Sequence, residues 1–159
     1  MKRLVILMLG ILLSFPAFSQ TVVTNPIPYL TLTLRSVQTL QTDVELTFLI
    51  TNTSPSELPV SLIGGFYQDG TAGTVAYDSE GNIYQYHDIL VSIGNNSYND
   101  QTSLASFPSN VPVKCHLLIR NVDPEATFMS KIKLCVLSDA LDIRTSGICF
   151  HIDNVNFRN

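Results

Sequence analysis

From Asp43 to Asn52 the chain alternates apolar and polar side chains. Val44, Leu46, Phe48 and Ile50 fall on one side, and Glu45, Thr47 and Thr51 on the other. A period of two over this length marks a strand with one face on a core and one toward water. Upstream, Tyr29 to Val37 puts Leu30, Leu32 and Leu34 inward and Thr31, Thr33 and Arg35 outward, with a short turn at Gln41–Asp43. The proline-containing stretch before it, residues 20–28, reads as a lead-in. After a loop at Thr53–Glu57, Leu58–Tyr67 predicts a third strand with Val60, Leu62 and Phe66 inward. Gly64–Gly65 interrupts it, which fits a bulge or bend, or else close approach of a ligand to bare backbone. Val75–Tyr77 and Ile83–Tyr86 flank Asp78–Asn82, predicting a hairpin whose second arm continues through Ile89 and Val91.

Gly94 to Pro108 is rich in Asn, Ser, Asp and Gln and reads as a long connection. Val111 to Val122 returns to alternation, with Val111, Val113, Cys115, Leu117 and Ile119 on one face and Lys114, His116 and Arg120 on the other. Asp123–Thr127 predicts a short helical turn, Asp123 capping it and Pro124 opening it. Met129–Ser138 and Ile148–Phe157 are the last strands, and no stretch sustains a helical period. These elements predict an all-β antiparallel sandwich of about seven or eight strands over residues 29–159.

The last two strands allow a sharper expectation. If Cys135 lies opposite Cys149, then Lys131 faces Asp153 and Lys133 faces His151, while Ile132, Leu134 and Val136 face Ile152, Phe150 and Ile148. One antiparallel register satisfies the charge pair, the apolar pairs and the cysteines together. It predicts a Cys135–Cys149 disulfide and leaves Cys115, the odd cysteine of three, as a buried free thiol. The competing reading keeps all three reduced.

An exported setting permits an oxidised pair, and the N-terminus supplies a reason to expect one. Met1-Lys2-Arg3 precedes the apolar run Leu4–Leu13, and Ala17 and Ser19 occupy the positions that signal peptidase reads. Residues 1–19 are therefore expected to be a signal peptide cleaved after Ser19, rather than a membrane anchor, because a span needs roughly 20 apolar residues. The formal net charge of −4 includes Lys2 and Arg3, so the mature chain is more acidic still. With no basic cluster, nucleic acid and anionic membrane surfaces are poor candidate partners, and with no apolar run of spanning length stable membrane insertion is not expected.

Chemistry-bearing patterns are sparse. There is no Gly-x-Ser-x-Gly elbow, and His87, His116 and His151 lie in separate predicted strands, the last two as solvated surface groups. Cys115 and His116 are adjacent and so point to opposite faces, which argues against a shared metal. Asp78-x-Glu80-x-Asn82 has the oxygen spacing of a calcium loop without its later bidentate Glu, and an ordinary polar turn explains it as well. No cofactor is expected. The candidate binding residues are Tyr84, Tyr86, Asn95, Asn96, Tyr98 and Asp100, because exposed tyrosines beside Asn and Asp suit stacking on sugars or a protein contact. The alternative is that the two strand tyrosines cover one side of the sandwich and the loop is merely solvated.

Thr51-Asn52-Thr53, Tyr77-Asp78-Ser79-Glu80-Gly81-Asn82-Ile83-Tyr84, Pro108-Ser109-Asn110-Val111-Pro112-Val113-Lys114 and Ile119-Arg120-Asn121-Val122 together resemble a known pattern. It is that of the small immunoglobulin-like domains of secreted and periplasmic bacterial proteins, most of them without an assigned function. The resemblance spans Tyr29–Phe157; Asn110 stands where glycine is usual, and the cysteines are not a family feature. The segment Ala17-Phe18-Ser19-Gln20 is likewise similar to signal peptides of Bacteroidota. The resemblance implies an immunoglobulin-like sandwich and carries over no catalytic residue. The expected function is a non-catalytic binding or accessory module of the periplasm or cell surface that recognises a protein or glycan. A structural component pairing through an edge strand is the alternative, and a small hydrolase ranks below both.

Overall fold

The computed structural model describes residues 20–66, 73–141 and 143–158, with only the backbone of 143–147. The expected signal peptide, residues 1–19, and the far end of the expected third strand at Tyr67 lie outside the described residues. Among the described residues there are eleven strands: β1 Val22–Thr24, β2 Leu30–Leu40, β3 Asp43–Asn52, β4 Leu58–Ile63, β5 Val75–Asp78, β6 Ile83–Tyr84, β7 Ile89–Ile93, β8 Thr102–Phe107, β9 Pro112–Ile119, β10 Phe128–Ser138 and β11 Ile143–Asn156. They form two antiparallel sheets. The smaller runs β2-β3-β9-β7, and the larger runs β1-β11-β10-β4-β8, with β5 also against β10 and β6 beyond β5.

The alternation in β3 dictates the packing. Val44, Leu46, Phe48 and Ile50 are fully buried, and they share one cluster with Leu117 and Ile119 of β9 and with Val60, Leu62, Ile132, Leu134, Phe150 and Ile152 of the larger sheet. Burying Phe48 or Phe150 contributes about 2–3 kcal/mol each from apolar area alone. The β10–β11 register matches the expected one at all six pairs, from Lys131↔Asp153 to Val136↔Ile148. The Cys135–Cys149 disulfide closes it across a sequence separation of 14. A loop of that size gives about 3 kcal/mol by restricting the unfolded chain. Cys115 is free and buried, and burial pushes its thiol up to about 12, so it is inert at neutral pH.

Several expectations change. The third strand ends at Ile63, and Phe66 is half-buried rather than inward. The glycine pair lies against the protein's own backbone: a Cβ on Gly64 would run into the Asp100 carbonyl, and Gly65 forms an antiparallel bridge with Tyr86, whose carbonyl a Cβ there would meet. Two loops of the protein itself press on that bare backbone. The arm after Tyr84 does not continue; it breaks at Gln85–Asp88, and β7 joins the other sheet beside β9. The polar connection after Gly94 contains β8, paired along its length with β4. The extra strands are short or polar, which is why eleven replace seven or eight. Val111 is exposed. At Asp123 the chain makes a single turn, Ala126 N donating to Asp123 O at 3.1 Å and Asp123 Oδ1 accepting from Glu125 N at 2.8 Å.

β4 and β5 lie on the same edge of β10, β4 against Val136–Leu137 and β5 against Met129–Lys133. Buried Thr74 joins them, its hydroxyl donating to the Ile63 carbonyl and accepting from Cys135 N. Between Met129 and Lys131 the β5 register slips, leaving Ser130 as the extra residue of a bulge.

Candidate functional site

The candidate residues separate into four environments. Tyr84 is a core residue, 5% exposed, and so is unavailable for stacking on a ligand. Its hydroxyl donates to Asp78 Oδ2 at 2.6 Å and accepts from Asp123 N at 3.0 Å. Burial, joined by the Asp78 carboxylate, pushes this phenol up to about 12. Asp78 in turn accepts from Glu80 N, Asn82 N and Asn82 Nδ2, each at 2.9 Å. Burial alone would raise the Asp78 carboxyl, but these hydrogen bonds outweigh it and hold it below the usual carboxylate range. The Asp78–Asn82 stretch is therefore a self-satisfied polar turn. Its first carboxylate is occupied by the protein, so the calcium reading loses its principal ligand.

Tyr86 is exposed (37%) and lies in a rim where three segments meet. Its backbone has a positive φ of 53°, a conformation that costs a non-glycine residue on the order of 1 kcal/mol. Tyr86 N donates to Gly65 O at 3.1 Å, and Ile89 N donates to Tyr86 O at 3.2 Å, which hold that geometry. Phe66 leans on the Tyr86 ring at 6.1 Å between centroids and stacks on His87 at 5.9 Å. His87, with 77% of its side chain exposed, reaches Asp100 Oδ2 through Nδ1 at 2.5 Å. Phe66 N donates to Asp100 O at 2.9 Å, so Asp100 fixes both neighbours. Phe66 and His87 are members of this rim that the linear pattern did not single out. His87 and Asp100 lie in different loops, and no motif links them.

Tyr98 belongs to a different group. Its loop leaves β7, and Asn99 exchanges both backbone hydrogen bonds with Val91. The Tyr98 hydroxyl donates to Glu45 Oε1 on β3, and its ring meets His116 edge-on at 6.3 Å. His116 Nδ1 lies 3.3 Å from the same Glu45 oxygen and 3.2 Å from Thr47 Oγ1. Burial and the Glu45 hydrogen bond push the Tyr98 phenol well above its ordinary value. His116 is thus a half-buried member of a polar network rather than a solvated surface group. His151 is also half-buried, and its Nδ1 is closed off from water with no hydrogen-bond partner. Asn95 and Asn96 are exposed at the turn after β7, where Asn96 O accepts from Ser92 Oγ at 2.7 Å. Their side chains contribute to no cluster.

The structure thus joins Tyr86 to Asp100 through Phe66 and His87, and leaves Tyr84, Tyr98 and the asparagines elsewhere. Among the described residues no three His, Cys, Asp or Glu side chains come together to hold a metal, and no helix is long and apolar enough to cross a membrane. Compared with known proteins, the chain matches no family model, no curated protein and no solved structure.

Proposed function

We propose that the chain is an exported, non-catalytic binding or accessory module of immunoglobulin-like class, and that it recognises a protein or glycan at the cell envelope through the Phe66–Tyr86–His87–Asp100 rim. The observation that carries this reading is Tyr86. An aromatic side chain is held at the surface on a positive-φ backbone, braced by Gly65 and stacked neighbours. Such strain persists where surrounding structure over-determines it, and it is a recurrent property of binding sites. Tyr98 acts behind the rim by fastening the loop that delivers Asp100. Export is supported by the disulfide, which an oxidising compartment maintains.

The test is a glycan array and a cross-linked capture from the native envelope fraction, using the chain from Gln20 onward and its Tyr86→Ala variant. The reading expects one ligand or stoichiometric partner for the parent and its loss in the variant, with the melting temperature unchanged. Equal capture by a folded Tyr86→Ala chain would remove the rim from consideration.

One observation favours a second reading, assembly through an edge strand. β8 is an edge with no Lys, Pro or bulge, and its Leu104 is 63% exposed. The other edges are protected: β2 carries a bulge at Arg35, β7 is bridged by Asn99, and β1 and β6 have three and two residues. Leu104→Lys should abolish association if this edge is used and leave it intact if the rim is.

A further inference from the structure

The outer face of the larger sheet carries a shallow groove of about 400 Å³, lined by Tyr77, Asp78, Gly81, Ser130, Lys131 and Lys133. It forms where the Ser130 bulge separates β5 from β10, and Ser130 Oγ spans the gap by donating toward the carbonyls of Tyr77 and Asp78. Bulges often re-aim side chains beside binding sites. Lys131 and Lys133 are two positions apart on one strand face, which sets them roughly 7 Å apart at their backbones. Neither has a carboxylate within ion-pairing distance among the described residues, where both ion contacts involve histidine. Asp153 is the cross-strand partner of Lys131, yet the two do not close an ion pair. Asp78, the acid nearest in the lining, has its carboxylate committed to Tyr84, Asn82 and Glu80. Among the described residues, then, these two cationic heads of a net-acidic chain close no ion pair.

We infer that this groove binds a carboxylate-bearing saccharide, its acid group on Lys131 and Lys133 and a ring face against Tyr77. Three features select this ligand. The groove volume falls in the range of small-ligand sites and suits one or two sugar rings. Opposite Lys131 stands its cross-strand partner Tyr77, so the groove has one aromatic and one cationic wall. β10 is flanked on both sides, by β11 and by β5 and β4, so it offers no open edge to a peptide backbone. Recognition must come from side chains. This site is separate from the aromatic rim and stands whether or not the rim binds anything.

The experiment is an amide chemical-shift titration of the mature chain with trigalacturonate, with maltotriose and tetraglutamate run alongside. Trigalacturonate should shift Tyr77, Gly81, Lys131 and Lys133 at millimolar concentration, and maltotriose should bind at least about tenfold more weakly, the scale of one charge-assisted hydrogen bond. Lys131→Gln/Lys133→Gln should lose about tenfold in affinity, and Tyr77→Leu should weaken trigalacturonate but not tetraglutamate. The inference is overturned by no shifts at these residues, or by affinity unchanged in the folded double variant. Tetraglutamate binding as tightly as trigalacturonate, with Tyr77→Leu neutral toward both, would also overturn it and point to an acidic peptide.

Discussion

The two outer faces of this sandwich use similar residue types to opposite ends. On the smaller sheet, Glu45, Thr47, His116 and Tyr98 satisfy one another beneath the loop that follows β7. On the larger sheet, Asp78 is consumed by its own turn, and Lys131 and Lys133 are left facing an open groove. A loop that folds back over a sheet supplies partners to the charges beneath it; a bulge that opens a sheet withholds them. On these two faces, charges that satisfy one another fasten a loop, and charges that do not are open to a ligand. By that criterion Tyr98, an obvious candidate by its exposed ring, is a fastening, while the lysines are available.

The contrast can be broken most forcefully at the rim, where loops serving both faces rest on bare glycine backbone. Gly65→Ala drives a Cβ into the Tyr86 backbone and should cost at least about 3 kcal/mol in denaturant unfolding. Asp78→Ala comes next. It strands the Tyr84 hydroxyl and two backbone N–H groups, for about 3 kcal/mol, and it should collapse the groove. The same carboxylate gives a pH dependence. Its folded value is depressed, so its stabilisation is present above the unfolded value of about 4 and is lost as pH falls through the folded value. Parent and Asp78→Ala should therefore converge in stability on acidification below that point. Tyr98→Phe should cost about 1 kcal/mol and loosen its loop, read as faster amide exchange at Val91 and Asn99. Lys131→Gln and Lys133→Gln should change stability by no more than about 0.5 kcal/mol, since neither lysine has an ionic partner among the described residues to lose.

What was legible along the chain was whatever carried a redundant local signal. In β10 and β11, cysteines, apolar pairs and opposite charges all agreed on one register, so the pairing and the disulfide could be read directly. β8 could not, because its polarity is inverted: Ser103 points inward at 5% exposure while Leu104 points out. The break after Tyr84 was equally silent, since the positive φ falls on Tyr86 without a glycine to announce it. Tyr84 itself looked like a surface aromatic because the carboxylate that receives its hydroxyl, Asp78, reads as a turn residue. The rim and the groove arise from contacts between segments far apart in sequence, and no local spacing encodes them.

The most direct test compares quantitative cross-linked capture from the envelope fraction by the parent chain, Tyr86→Ala, and Asn95→Ala/Asn96→Ala, each checked for an unchanged melting temperature. Binding carried by the braced aromatic rim predicts loss of capture with Tyr86→Ala and full capture by the asparagine variant. Undiminished capture by Tyr86→Ala, with loss in the asparagine variant, would contradict the account and return binding to the polar loop.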